Sequence, residues 1–321
     1  MNLDSVREVA QALSERGLAP KKRWGQNFLV DGNVRRAIAS RVRAGAGDPV
    51  WEIGPGVGAL TELLLERGVE LAAFEIDYGL IALLEEVFPE RGNLRIIAGD
   101  CVETWPGELE RGGVPRSIIG NLPYSQGAVI IASFLEAGLQ PEQYLFMVQE
   151  EVADRMGAGP GTRTYSAFSV LVQSRLAVSE TMRVQPGSFY PRPEVSSTLV
   201  ELRPRPDAPV IEDTGMLTAV TRAVFHARRK TVLNSIVSSG FAPGPGSADT
   251  AGGEAAAGRR GGGPPPGHPG GGAGTGRGAV LSLLEEAGID PSVRGETLTV
   301  ERIVALSNLA AARRRRPDSD T

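Results

Sequence analysis

The sequence predicts an α/β fold, a parallel sheet with helices on both faces, followed by a small α-helical domain. Three observations carry this. Short apolar runs alternate with helical stretches for about a hundred residues, the pattern of strands joined by crossover helices. Glycines cluster where the first of these runs passes into its helix. The C-terminal third shows helical periodicity broken by one Gly/Pro-rich stretch.

The elements follow in order. Asp4 to Arg16 and Asn33 to Arg43 each read as an amphipathic helix. Pro49-Val-Trp-Glu-Ile is a first strand, and Ala59 to Arg67 its helix. Leu71-Ala-Ala-Phe-Glu-Ile is a second strand, followed by a helix over Tyr78 to Phe88. Leu94-Arg-Ile-Ile-Ala and Ser117-Ile-Ile-Gly are a third and a fourth. Val129 to Glu136 is helical, and Gln143-Tyr-Leu-Phe-Met-Val a fifth strand. Residues 196–203 alternate as a further strand, and 214–239 and 279–312 are helical. These patterns predict an N-terminal helical extension (1–45), a Rossmann-like domain (46–205), a helical domain (206–312) and a basic tail (313–321).

Residues 243–278 hold fifteen Gly and six Pro and no Val, Ile, Leu, Met, Phe, Trp or Tyr. Such a stretch cannot bury enough apolar area to offset its ordering entropy, so it reads as a disordered insert, a passive spacer.

Composition closes several routes. With 321 residues and one cysteine, Cys101, the chain has no intrachain disulfide and no thiolate metal cage. Two histidines, His226 and His268, exclude a His-rich metal site, and no metal is expected. No apolar run reaches 18 residues and the N-terminus lacks a signal-peptide pattern, so a cytoplasmic protein without membrane contact is expected. Monomer is the default expectation. The net charge of −4 conceals segregation: 62–110 carries −9, 20–43 carries +6, and 221–236 has four basic residues and no acid. Each cluster alone reads as a solvated face, whereas the three together lean towards a polyanion partner.

Five motifs carry chemistry. Gly54, Gly56 and Gly58 lie in Glu52-Ile-Gly-Pro-Gly-Val-Gly between strand and helix, where glycine permits a tight turn and close approach to a ligand. The spacing is G-x-G-x-G, the form found in S-adenosylmethionine-dependent methyltransferases; it also occurs as a structural turn. Glu75, ending the second strand, can accept hydrogen bonds from two ribose hydroxyls. A helix-capping acid is the other reading, for which Asp77 is better placed. Asp100, ending the third strand, can accept from an adenine amino group, or serve as a turn aspartate. Cys101 has no basic neighbour and reads as a buried side chain, not a nucleophile. Asn121-Leu-Pro-Tyr124 follows the fourth strand. An adenine amino group is a poor nucleophile because its lone pair is delocalised. The Asn121 oxygen and a backbone carbonyl beside Pro123 can polarise it, while Tyr124 offers a stacking face. Ser188-Phe-Tyr-Pro-Arg-Pro presents Phe189, which can close over an extruded base or anchor a core.

With these motifs in this order the chain resembles the ribosomal RNA adenine dimethyltransferase family over residues 20–240 and again near 279–310. The resemblance implies a class I S-adenosylmethionine-dependent methyltransferase fold. It also implies that two adjacent adenines near the 3′ end of 16S rRNA, in the 30S particle or its precursor, are dimethylated at N6 during small-subunit biogenesis. Lys22-Arg-Trp-Gly-Gln-Asn-Phe-Leu29 is similar to the family's motif lying over the cofactor. It assigns Gln26, Asn27 and Leu29 to S-adenosylmethionine, together with Gly54, Gly56, Glu75, Asp100 and Asn121. The target adenine falls to Asn121, Leu122, Pro123, Tyr124 and Phe189. Phe225 to Asn234 is similar to a basic helix and Arg294 to Leu298 to the family's final helical pair. The RNA-binding residues are then Lys21, Lys22, Arg23, Arg222, Arg228, Arg229 and Lys230. Three features depart from the family: Ser125-Gln126 in place of the usual Asn-Ile, the Gly/Pro insert, and the acidic overall charge. The alternatives are a 23S rRNA methyltransferase of the macrolide-resistance type, and a non-catalytic assembly factor on the same fold.

Overall fold

In the computed structural model, a seven-stranded sheet carries the first of two units, Met1–Gly157 with Arg175–Ala208. The structure describes residues 1–21, 24–89, 91–243 and 273–315. In chain order the elements are α1 (Val6–Glu15), β1 (Phe28–Leu29), α2 (Gly32–Ala39), β2 (Pro49–Ile53), α3 (Thr61–Glu66), β3 (Glu70–Glu75), α4 (Tyr78–Val87) and β4 (Leu94–Ala98). Then come α5 (Cys101–Gly112), β5 (Ser117–Asn121), α6 (Gly127–Glu136), β6 (Gln143–Gln149), α7 (Glu150–Gly157), α8 (Ala167–Gln173) and β7 (Leu176–Val184). Last are β8 (Phe189–Tyr190), β9 (Ser197–Pro204), α9 (Thr214–Phe225), α10 (Val232–Ser239), α11 (Ala273–Glu286) and α12 (Val300–Arg315).

The sheet order is β4-β3-β2-β5-β6-β9-β7. The five strands from β4 to β6 are parallel, whereas β9 and β7 run antiparallel, so the expected parallel sheet is mixed. Only the region where strands alternate with crossover helices can be parallel; β7 and β9 are joined without such a helix, and they return antiparallel. The order reverses between β2 and β5, the switch point at which open α/β sheets bind ligands. Helix starts follow local capping chemistry. Ser5, Asp31, Asp77 and Asp100 each accept a backbone N–H in the first turn of α1, α2, α4 and α5. Helix α5 contains Pro106 and Gly107, and the sequence reading assigned nothing to it; Trp105 packs edge-on against Phe134 and offsets that poor local propensity.

Several described bases of the 20–43 segment are ion-paired within the fold. Buried Arg35 pairs with Asp4 and with Glu62, Arg43 pairs with Glu201, and Lys21 pairs with Asp77. Two of these carboxylates come from the acidic 62–110 stretch. Arg67 donates to three carbonyls at and beyond the end of α2, those of Ala39, Val42 and Ala44.

The second unit is Ala158–Ser174 with Pro209–Thr321. Residues 158–174, which the sequence reading places inside the 46–205 domain, group with the C-terminal helices because Tyr165 and Val170 bury among Leu217, Val220, Leu283 and Ile303. The Tyr165 hydroxyl donates to the Leu298 carbonyl at 3.0 Å. The basic stretch after Phe225 is a turn between α9 and α10, not part of one helix. Ser235 Oγ holds the turn by donating to the carbonyls of Ala223 and Val224 and accepting from Ala227 N. The Arg294–Leu298 stretch holds a 3-10 turn over Gly295–Thr297, ahead of α12. Most of the Gly/Pro insert lies outside the described residues. Its last part does not: α11 begins at Ala273, and Arg277 donates to Asn234 Oδ1. The expected basic tail also differs, since Arg313 and Arg315 belong to α12 and pair with Glu286 and Glu212. Among the described residues no helix is long and apolar enough to cross a membrane, and no cluster of His, Cys, Asp and Glu could hold a metal.

Candidate active site

The carboxyl ends of β2, β3, β4 and β5 open into one cleft, lined by Gly54, Gly56, Glu75, Asp100 and Asn121 together with Gln26, Asn27 and Leu29. Every residue assigned to the cofactor is therefore brought to a single site. The turn after β2 needs its glycines. Gly54, Gly56 and Gly58 have φ of +69°, +60° and +89°. A Cβ on Gly58 would lie 2.6 Å from the Phe88 ring. Gly54 N donates to the Phe74 carbonyl at 2.9 Å, which clamps the turn to β3.

Glu75 is buried and accepts three backbone N–H groups, from Gly56 at 3.1 Å and from Ile76 and Asp77 at 2.9 Å. Burial raises its pKa, against the opposing pull of those donors. A carboxylate has about four acceptor sites, so one remains for a ribose hydroxyl. Asp100 is exposed and caps α5 through Oδ1, leaving its second oxygen for an adenine amino group. Cys101 is buried, and burial beside Asp100 pushes its thiol pKa up, which makes it no nucleophile.

Glu52 is a site residue to which the sequence reading gave no role. Thr61 Oγ1 donates to it at 2.7 Å, tying the end of β2 to α3 across the glycine turn. Burial pushes its pKa up to about 7, with Glu75 adding to the effect. The available signal was an acid next to the end of an otherwise apolar strand, where a side chain must be buried.

At the other wall, Asn121 Nδ2 donates to the Asn27 carbonyl at 2.7 Å. That bond fixes the amide so that Oδ1 is the acceptor left for a substrate. Gly120 admits no side chain: a Cβ would stand 2.4 Å from the Ile53 carbonyl oxygen. Leu122 is buried, Pro123 lines the cleft, and the Tyr124 hydroxyl shares a 2.9 Å hydrogen bond with Ser197 Oγ. Burial raises the Tyr124 pKa, so the phenol stays neutral. Gln126 lines the cleft at the position where the sequence departs from the family pattern. Phe189 is not brought to the cleft. It is buried among Leu29, Met147 and Leu199, and pairs with Leu29 in the β1–β8 ladder. Packing there takes the ring into the core, the structural alternative for that residue.

The basic residues divide. Lys21 is ion-paired with Asp77, and Lys22 and Arg23 lie outside the described residues. Arg222 sits in the last turn of α9. Arg228 and Arg229 line a separate concavity of the second unit with Arg163, Arg294 and Glu296. Arg228 is held there by Glu296 at 2.9 Å, and Lys230 is exposed nearby in sequence. Arg163 and Arg294 were not singled out as RNA-binding because their neighbours in space are far apart in the chain.

A family model described as ribosomal RNA adenine dimethylase matches residues 17–243. This chain belongs to that family. Curated relatives support it at both ends of the chain. A ribosomal RNA small subunit methyltransferase A of Moorella thermoacetica is 37% identical over 318 residues, 95% of this chain and 98% of the relative. One from Treponema denticola is 38% identical over 239 residues, 74% of this chain and 82% of the relative. Among solved structures, a dimethyladenosine transferase from Plasmodium falciparum superposes with a TM-score of 0.63 at 20% identity, covering 85% of this chain and 94% of that one. The 23S rRNA methyltransferase ErmE gives 0.55 at 21% identity, covering 89% and 100%. These two likenesses speak for the fold alone, that of class I S-adenosylmethionine-dependent methyltransferases. The cleft fits the family's cofactor: an apolar channel, a buried carboxylate for a ribose, and glycines that admit close approach.

Proposed function

We propose that this chain is an rRNA adenine N6-dimethyltransferase that acts on two adjacent adenines near the 3′ end of 16S rRNA. The substrate is the 30S particle or its precursor, and the enzyme works as a cytoplasmic monomer. The observation that carries the reading is the Asn121 amide, locked by Asn27 so that Oδ1 faces substrate as an acceptor. S-adenosylmethionine, when bound, supplies an electrophilic methyl group on its sulfonium.

The chain's own contribution is positioning and polarisation. Asn121 Oδ1 and the backbone carbonyl beside Pro123 accept from the two N6–H groups. This draws the nitrogen towards a pyramidal form and aims its lone pair. Tyr124, its hydroxyl anchored on Ser197, provides the face on which the base stacks. The base must be unstacked from its RNA, because N6 is not reachable inside a duplex. Glu75 and Asp100 hold ribose and adenine of the cofactor, and Gln26, Asn27 and Leu29 cover it. In the second unit, Arg228 and Arg229, with Arg222 and Lys230, meet RNA phosphates.

The test is transfer of labelled methyl from S-adenosylmethionine to 30S particles lacking the modification and, separately, to 50S particles. Dimethyladenosine in 30S RNA supports the reading. Label in 50S RNA overturns it in favour of a resistance-type enzyme, and absence of label with cofactor still bound overturns catalysis on either subunit.

A further inference from the structure

Trp24, Gly25, Gln26 and Asn27 line the cleft. Asp77 ties this stretch to α4. Asp77 is 4% exposed and accepts from Lys21 Nζ at 2.8 Å through Oδ1 and from Gln26 Nε2 at 3.1 Å through Oδ2. Gln26 closes the ring by accepting Lys21 N at 2.7 Å. The Lys21 ammonium lies 4.5 Å from the centre of the Trp24 ring. Immediately downstream, the Asn27 carbonyl receives Asn121 Nδ2. Upstream in β3, two residues before Asp77, stands Glu75. One carboxylate therefore sits between the residue that holds the ribose and the segment that braces the catalytic amide.

We propose that Asp77 is a positioning residue for methyl transfer: by gripping Lys21 and Gln26 it fixes Trp24 to Asn27 over the cofactor and so sets the Asn27 carbonyl that orients Asn121. The inference rests on the reading of this cleft as the S-adenosylmethionine site. Burial opposes the charge on Asp77, yet Lys21, Gln26 and the Gly79 N–H outweigh it and hold its pKa below the usual carboxylate range. The grip is thus a charged one, and it needs a full negative charge at that point.

Asp77 also caps α4 through the Gly79 N–H at 3.0 Å, and the two roles must be separated. Asp77→Asn does this. Asparagine caps a helix as well as aspartate, but its amide nitrogen then faces Lys21 or Gln26, donor against donor. Lys21→Met removes the cation while keeping most of the apolar stem. Three readouts are taken on the full chain: S-adenosylmethionine affinity by calorimetry, acrylamide quenching of tryptophan, and the thermal midpoint without cofactor. Trp51 and Trp105 are buried, so quenchable emission reports on Trp24.

Each single variant should weaken cofactor binding about tenfold and expose Trp24 to quencher, with the midpoint unchanged. The double variant should be no worse than Asp77→Asn alone, because Lys21→Met removes a contact that Asp77→Asn has already broken. In methyl transfer, KM for the cofactor should rise and kcat fall, with KM for RNA unmoved. Unchanged affinity and quenching in both variants would overturn the proposal. So would a loss in Asp77→Asn that Lys21→Met does not share, additive losses in the double variant, or a lowered midpoint that accounts for the whole effect. Neither binding nor quenching uses RNA. An enzyme that binds cofactor but methylates no ribosomal RNA would therefore sink the functional reading and leave this one standing.

Discussion

On the side of the cleft proposed for the cofactor, two buried carboxylates stand at or next to the ends of β2 and β3, and their hydrogen bonds are largely met by neighbours in the same layer. Thr61 serves Glu52, and the amides of Gly56, Ile76 and Asp77 serve Glu75. On the side proposed for the target base, β5 ends in a neutral amide braced by a carbonyl 94 residues away in sequence, and Tyr124 by a serine 73 residues away. The cofactor wall is built from local chain and is preformed at the cost of buried charge. The target wall is assembled from distant segments and holds no charge at all. A neutral wall suits its task, because an acceptor must pull on an amino group without protonating it. The other wall carries carboxyl oxygens, which can accept from ribose hydroxyls.

Substitutions can break this contrast, and the largest effect belongs to the target wall. Asn121→Ala should lower kcat by about 10²–10³-fold, the range for loss of one preorganised polarising group, while calorimetry finds cofactor affinity nearly intact. Equal loss of both would mean that the two walls are not separable. Glu75→Ala should do the opposite, weakening S-adenosylmethionine by about 10- to 100-fold through loss of charged hydrogen bonds, with a smaller change in kcat at saturating cofactor.

Glu52 sharpens the comparison through pH. Its pKa rises from 4.5 to about 7 on folding, so the folded state holds the proton more tightly. The associated stability is fully present below pH 4.5 and is lost as pH rises through about 7. The shift corresponds to roughly 3 kcal/mol. Glu52→Gln keeps an acceptor for Thr61 and cannot ionise. Without cofactor, its melting temperature should therefore exceed that of the parent at pH 8 and approach it at pH 4. A pH-independent difference would show that Glu52 does not titrate in this window. The smallest effect is expected for Ser197→Ala, which frees the Tyr124 hydroxyl. It should raise KM for RNA a few-fold, in line with about 1 kcal/mol for one hydrogen bond, and leave cofactor binding alone.

Much of this was legible in the chain itself. β2 and β4 match their sequence bounds, Pro49–Ile53 and Leu94–Ala98, and the parallel strands end where Gly54, Glu75, Asp100 and Asn121 were placed. Those signals are local: alternation, a glycine turn, a carboxylate at a strand end. What escaped depends on neighbours distant in sequence. Phe189 turned into the core, because pairing with β1 and packing on Leu199 decided its direction. Within the +6 stretch of residues 20–43, Lys21, Arg35 and Arg43 meet Asp77, Asp4, Glu62 and Glu201. Helix α5 formed in spite of Pro106 because Trp105 has Phe134 to pack against.

The sequence by itself determined the family, the cofactor and the strand ends proposed to hold it, because a ligand gripped at consecutive βα turns leaves its residues at regular spacings. Only the tertiary structure decided which of the charged residues pair with each other, that Glu52 is a buried acid, and that Asp77 reaches back to Lys21 and Gln26. An ion pair depends on which surfaces meet, and sequence spacing carries no record of that for residues 51 and 56 positions apart.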